Sequence, residues 1–320
     1  MSRTASIEAE AWLPRLRSHA RARFDALGIP DPNDEDWRRT DVRPLASFAL
    51  ASADAASLPG ATLESDPLAS ALPCRAVLVN GRFDAALSTL GSVPPGVRVR
   101  SLAALLAESP ETLKPHIGSI ASVESSALVA LNTASFADGV LVTVEAHVDC
   151  GVPLHIVHVA VPGKAPASVH PRTLVLAAAG SRLTLVESYV AAGSGSYLTN
   201  AVTEILAEPE AQVTHVKIQS EGSGGWHVAT IAGHQARGSR LVSHNISLGA
   251  LLARNDIGSR LDGEGAECRL YGLYVADGAQ HVDNHTWLDH AMPNCPSWEM
   301  YKGLLSGQAR AVFCGRIVVR

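Results

Sequence analysis

The chain has 320 residues, 47% of them apolar, enough to bury a large core and more than one compact domain usually holds, so a long solenoid or two domains fit. Its 26 basic and 31 acidic residues leave a formal net charge of −5, which gives no basic footprint for nucleic acid or for an anionic membrane surface. Cys74, Cys150, Cys268, Cys295 and Cys314 are odd in number and include no CxxC pair, which fits a reducing, cytoplasmic setting better than a disulfide framework or a zinc ribbon.

Along the chain, the N-terminus mixes Arg3, Glu8, Glu10, Arg15 and Arg17 among small residues; it lacks the apolar stretch of a signal peptide, and no later run approaches a membrane span. Leu13, Leu16, Ala20, Phe24 and Leu27 recur at steps of three and four, which predicts a helix that Gly28 and Pro30 end. Residues 31–36 and 51–73 read as loops or linkers. Between them and the next helices, residues 76–80 predict a strand that turns at Asn80-Gly81 into a second short one. Helical spacing returns between 101 and 137, with Leu102, Leu105 and Leu106 in one segment and Leu128, Leu131 and Ala134 in another. Ser109-Pro110 is expected to cap and begin a helix. Asp138-Gly139 closes an N-terminal helical region, 1–138, with its linkers and short strand pair.

From Val140 the texture changes: apolar segments at 140–144, 154–159, 173–176, 183–186 and 213–218 follow one another with polar or glycine-containing turns and no long helix between them. A fold that needs a helix after most strands is excluded. Gly180-Ser181-Arg182-Leu183, Glu210-Ala211-Gln212-Val213, Gly238-Ser239-Arg240-Leu241 and Gly265-Ala266-Glu267-Cys268 recur at intervals of 27 to 30 residues, one solenoid coil per repeat. Residues 139–320 are therefore expected to form a parallel β-helix in which Val, Leu and Ile point inward and stack. Periodicity alone leaves a large antiparallel sandwich as the alternative.

A second signal runs through the same residues. Ala130-Leu131-Asn132, Phe136, Asp138-Gly139, His170-Pro171-Arg172, Glu187-Ser188-Tyr189, Arg254-Asn255-Asp256-Ile257 and Leu261-Asp262-Gly263 come in order, followed by Gly265-Ala266-Glu267, Tyr271-Gly272-Leu273-Tyr274, Gln280-His281-Val282-Asp283, His285-Thr286, Asp289-His290, Tyr301-Lys302-Gly303 and Val312-Phe313 with Gly315-Arg316-Ile317. Together they resemble the SufB/SufD scaffold proteins of iron–sulfur cluster assembly, the SufD branch in particular, over about residues 130 to 320; Trp37-Arg38-Arg39-Thr40-Asp41 is similar to the family's N-terminal segment. The resemblance implies a mainly β protein, a right-handed parallel β-helix behind an N-terminal helical region. It also implies a non-catalytic scaffold subunit that works with SufB and the ATPase SufC and meets an iron–sulfur cluster only transiently, in the complex. Family members continue beyond the position of Arg320 through further strands with a Cys/His-containing segment and a helical domain that docks the ATPase, so the chain is expected to be a C-terminally shortened form.

No catalytic, cofactor-binding or metal-binding residue is assigned. His281, His285 and His290 lie near Asp283, Asp289 and Cys295, all competent metal ligands. In a continuous strand, however, His281 and His285 share a face and His290 points the opposite way, and hydrogen-bonded structural histidines are the expected reading. His155 and His158 fall on opposite faces of one strand and read as structural or surface residues. Cys268, Cys295 and Cys314 are competent as thiolate sulfur carriers or iron ligands, while the strand contexts of Cys268 and Cys314 predict small packed hydrophobes. Lys302 has no constellation of carboxylate, serine or cofactor motif around it, and Tyr301-Lys302-Gly303 is expected to serve an interface or turn. Gly222, Gly224 and Gly225 lack a following GK[ST] and read as a solenoid loop before Trp226. The competing function is a β-helix carbohydrate-active enzyme, which needs paired acids such as Asp283 and Asp289. Residues 310–319 are expected to lie at a subunit interface, with a SufB-like subunit as partner, because an uncapped last strand exposes its backbone groups.

Overall fold

The computed structural model describes residues 12–48 and 71–320 together with positions 52–54, 56, 58, 63 and 68. The linker expected over 51–73 lies largely outside the described residues, as do Arg3, Glu8 and Glu10. The protein is mainly β, 47% strand and 15% helix, wound as a parallel β-solenoid of about 6 turns behind a few N-terminal helices.

The first helix, α1 (Trp12–Leu27), buries Trp12, Ala20 and Phe24 and ends at Gly28, whose φ of 71° is the left-handed turn that stops it. A hairpin, β1 (Cys74–Val79) and β2 (Arg82–Thr89), turns at Asn80-Gly81, as its sequence predicts. It is followed by β3 (Val97–Ser101), α2 (Leu102–Glu108) and α3 (Ala127–Ser135). The helix caps are Ser101, whose hydroxyl accepts from the Ala104 N–H at 3.1 Å, and Ser126, which accepts from Val129 at 3.3 Å. Ser109 makes no side-chain cap, and Pro110 opens only a single 3₁₀ turn to Thr112.

The solenoid strands are β4 (Val140–Val144), β5 (Leu154–Ala160), β6 (Ala167–Val169), β7 (Arg172–Ala177), β8 (Arg182–Ala191), β9 (Tyr197–Ala207), β10 (Gln212–Gln219), β11 (Gly225–Gln235), β12 (Arg240–Ser247), β13 (Leu252–Leu261), β14 (Glu267–Ala276), β15 (His281–His290), β16 (Ser297–Leu305) and β17 (Arg310–Val319). They alternate between two sheets, β16-β14-β12-β10-β8-β5-β1-β2 and β17-β15-β13-β11-β9-β7-β4-β3, so each coil gives one strand to each. From β5 to β17 every neighbour is parallel, which removes the antiparallel sandwich.

The weak sequence repeat has a physical cause. Gly180, Gly238 and Gly265 have φ of 66°, 65° and 73°, and Glu210 takes the same left-handed turn at 62°. Each is followed by a small residue, Ser181, Ala211, Ser239 or Ala266, that is 0 to 1% exposed and lets the chain turn tightly into β8, β10, β12 or β14. In register behind them, Leu183, Val213, Leu241 and Cys268 stack as one apolar row.

The expected inward stack of Val, Leu and Ile does not extend across the whole interior. In β10 the buried positions are Val213, His215, Lys217 and Gln219, while Val216 and Ile218 face outward. The helices explain where other apolar groups go: α1 and α3 cover the outer face of the nine-stranded sheet through Ala20, Phe24, Leu128 and Leu131 against Leu198, Val202, Val228 and Leu252.

Candidate functional site

Many of the residues that signal the family are fasteners between the N-terminal region and the solenoid. Asn132 on α3 donates to the Pro171 and Asn200 carbonyls at 3.0 and 2.8 Å and accepts from Arg172 at 3.0 Å. Arg172 is fully buried and pairs with Glu204, which also accepts N–H bonds from Gly118, Ile120 and Ala121 at 3.2, 3.1 and 2.9 Å. Asp138 gathers the N–H groups of Phe83 and Ala103 and the Ser101 hydroxyl at 3.0, 2.8 and 2.8 Å, so one carboxylate joins the hairpin, α2 and the start of the solenoid. At the far end, a Cβ on Gly272 would stand 2.0 Å from the Tyr301 ring, and one on Gly303 would stand 2.0 Å from Tyr274. Each glycine admits a neighbouring tyrosine into the coil.

Inside the solenoid runs a buried polar column. Glu187 accepts from Thr173 and Thr203 at 2.7 and 2.8 Å and stands 3.1 Å from His158 and 2.8 Å from His215. Lys217, in register with Glu187, donates to Asn255 at 2.8 Å, and its ammonium lies 5.3 Å from the Tyr189 ring centroid. Asn255 and Asn245 both donate to Asn284, at 3.0 and 3.1 Å. Glu221 accepts from Thr199 and Gln219 and lies 2.6 Å from His227. Burial raises the pKa of the Glu187 carboxyl, but the bonds from His158 and His215 outweigh it and hold the group well below the usual carboxylate range. Burial pushes Lys217 down to about 7 against the pull of Glu221 and Glu187, and takes His227 to about 4. The column therefore holds carboxylates, imidazoles and an amine within hydrogen-bonding reach of one another, shielded from solvent.

A third cluster sits outside the nine-stranded sheet, where the N-terminal segment crosses β13 and β15. Thr40 donates to Asp283 and lies 2.9 Å from His281. Arg254 donates to Asp283 at 2.6 Å, to Asp256 at 2.7 Å and to the Asp36 carbonyl at 2.9 Å, and its guanidinium lies 4.3 Å from the Trp37 ring centroid. Burial works against the Arg254 charge, and Asp256 and Asp283 more than offset it, so its pKa rises. Beside this clasp opens a cavity of about 960 Å³ lined by residues of the N-terminal segment and of the β11, β13, β15 and β17 starts.

The structure separates the histidines that the sequence places together. His281 and His285 face outward on β15, His281 bonded to Thr40 and His285 3.2 Å from Asp283, while His290 turns inward to Ser297 at 3.2 Å. Among the described residues no group of three or more His, Cys, Asp or Glu is arranged to hold a metal ion. Cys268 is buried in the apolar row, where burial raises its thiol pKa, and Cys295 approaches the Gly263 carbonyl at 3.3 Å. Cys314 is exposed rather than packed, because its position on β17 is in register with outward-facing His285. Lys302 lies within β16, exposed, so it serves no turn; Gly307 occupies the turn that follows, at φ 64°. Gly222 and Gly224 do form the loop that returns the chain to β11 at Gly225. His155 and His158 are both buried, so the surface reading fails: His155 lies 2.7 Å from Ser188, and His158 belongs to the polar column.

His215, Lys217, Glu221 and His227 carry no motif, and sequence reading passed over them. Their signal is parity: in 213, 215, 217, 219 the ionisable groups share the inward face with Val213, against the outward Val216 and Ile218.

The fold is thus a two-sheet β-solenoid fastened to a helical N-terminal region, a class defined by stacked coils and buried polar joints. A family model described as the SUF system FeS cluster assembly SufBD core domain matches residues 159–320, and one described as the SufBD protein N-terminal region matches 2–156. The chain belongs to the SufBD family. An iron–sulfur cluster assembly SufBD family protein of Synechocystis is 29% identical over 318 residues, 97% of this chain and 70% of that protein. The iron–sulfur cluster assembly protein SufD of Escherichia coli is 27% identical over 298 residues, 91% of this chain and 66% of that protein. A SufBD family protein of Mycobacterium tuberculosis is 25% identical over 303 residues, covering 92% and 66%. The chain spans 66 to 70% of the length of these relatives.

Proposed function

We propose that this chain acts as a SufD-like, non-catalytic scaffold subunit, stacking against a SufB-type subunit and serving with a SufC-type ATPase in iron–sulfur cluster assembly. The observation that carries it is the pair of family matches, which together run from residue 2 to residue 320 and meet between 156 and 159. The structure supports a scaffold in its own way: buried ionisable groups form joints between coils and the N-terminal clasp. Trp298, Met300, Leu305, Phe313, Ile317 and Val319 are exposed on β16 and β17, the last described strand of each sheet, an apolar surface that a further strand, of this polypeptide or of a partner, would cover. The cluster is cargo, held transiently at the level of the complex. All five cysteines are free thiols, in keeping with a reducing, cytoplasmic setting.

The carbohydrate-cleaving alternative is not supported. Asp283 is 1% exposed and committed to Arg254 and Thr40, and Asp289 is bound by Arg320 at 2.9 Å. Six residues apart on one strand, they are roughly 20 Å apart, about twice the span of a glycosidase acid pair.

Deletion of the gene in its native host is expected to lower the iron–sulfur content of cellular iron–sulfur enzymes, with recovery on reintroducing the wild-type gene. Unchanged cluster content in the deletion strain would overturn the reading.

A further inference from the structure

The cavity beside the clasp is lined by three arginines, Arg38, Arg39 and Arg310, with His281 and Trp226 completing part of its wall. Several arginines elsewhere in this protein have a carboxylate partner: Arg43 has Asp41, Arg254 has Asp256 and Asp283, Arg260 has Asp262 and Arg320 has Asp289. Among the described residues none lies within ion-pair reach of Arg38, Arg39 or Arg310. The acid lining the cavity, Asp41, is already engaged by Arg43 at 2.6 Å, and that engagement holds its carboxyl at about 2.

The backbone that presents these guanidiniums is fixed. Arg38 and Arg39 lie between Trp37, against Arg254, and Thr40, which is 1% exposed and bonded to Asp283. Arg310 opens β17 with its N–H on the Gln280 carbonyl at 2.9 Å. Its charge is close enough to His281 to help lower that imidazole's pKa, after burial, which is the larger cause. Like charges gathered on one hollow repel one another, and a ligand carrying several oxyanion groups relieves that repulsion while filling the guanidinium forks two oxygens at a time. A segment already fixed loses little further freedom on binding.

The geometry points to a binding site for a small multivalent oxyanion, phosphoryl or polycarboxylate, held by Arg38, Arg39 and Arg310. The site borders the start of β17, and its test uses the chain by itself, so it does not depend on which subunit is bound.

Isothermal titration of the whole chain with pyrophosphate and, separately, with citrate tests it. Saturable binding of one anion per chain is expected, and the tighter of the two identifies the class. Arg39→Ala and Arg310→Ala are each expected to weaken it about tenfold, the loss of one charge-assisted contact. Arg316→Ala removes the same charge from an exposed position on β17 outside the cavity and should leave affinity within about twofold. The His281 imidazole resonances should move during the wild-type titration, and the variants, altered at exposed side chains, should keep the wild-type unfolding midpoint. Absence of saturable binding by both anions, or equal weakening by Arg316→Ala, would overturn the assignment.

Discussion

Glu187, Lys217 and Glu221 place charge-bearing groups in an interior where their side chains are at most 3% exposed, and such groups persist only when partners replace water. Protonation should therefore govern stability. His170 and His227 are held at about 4 by burial, below their ordinary 6.5, so the unfolded chain binds more protons between those values. Stability should fall as pH drops from 6.5 to 4, by about 1.4 kcal/mol per pH unit for each histidine. Glu187 and Glu221, held below 4.5, add stability that is present above 4.5 and lost as pH falls further. Urea denaturation at pH 7, 6, 5 and 4 checks this, and a constant midpoint across the series would contradict it. The Arg172–Glu204 pair makes a second case. Glu204→Gln leaves a fully buried guanidinium without its counter-charge and is expected to cost about 3–5 kcal/mol. Chemical denaturation reads that loss, and adding Arg172→Met to Glu204→Gln, which removes the unpaired charge and keeps an amide oxygen for the Gly118, Ile120 and Ala121 N–H groups, should recover part of it.

At the scale of elements, the coil turn is the unit that repeats. Gly265 sits at φ 73° with nothing within 4 Å of the position its Cβ would take, so Gly265→Ala isolates the backbone cost, about 1–2 kcal/mol. Glu210 occupies the same turn at φ 62°, and Glu210→Gly is expected to stabilise by about 1 kcal/mol. Thermal unfolding of the two variants should shift in opposite directions; shifts of the same sign would contradict the turn assignment. This repeat was legible in the sequence because the left-handed residue and the small residue after it recur together. The apolar row was legible too, since Leu183, Val213, Leu241 and Cys268 follow that turn at a fixed offset. The polar column was hidden because inward and outward faces both carry apolar residues, so alternation alone does not say which face is the core; in β10 the helix-free outer face holds Val216 and Ile218. The clasp was hidden for another reason: Thr40 and Asp283 are 243 positions apart, and nothing local in either stretch announces the other. Its parts were nevertheless among the residues that carry the family resemblance, seen as signature before their bonding was known.

At the scale of the whole molecule, the described coils form one stack whose first coil is covered by antiparallel strands. The antiparallel hairpin β1–β2 and strand β3 cap the first coil, while β16 and β17 are the edge strands of their sheets. Phe313 lies against Tyr301 with ring centroids 4.8 Å apart and is 43% exposed, so one side is packed while the other awaits a strand stacked on β17. Phe313→Asp should weaken assembly while leaving the rest of the stack folded, since the turns and joints of the preceding coils do not depend on it. The central claim, that this chain is a SufD-like scaffold subunit, is tested most directly by measuring the mass of the complex it forms with the SufB-type and SufC-type proteins of its own host at physiological concentration. A stable hetero-oligomer containing the SufB-type subunit, lost or weakened by Phe313→Asp, is the predicted result; a chain that elutes alone, with neither partner, would contradict it.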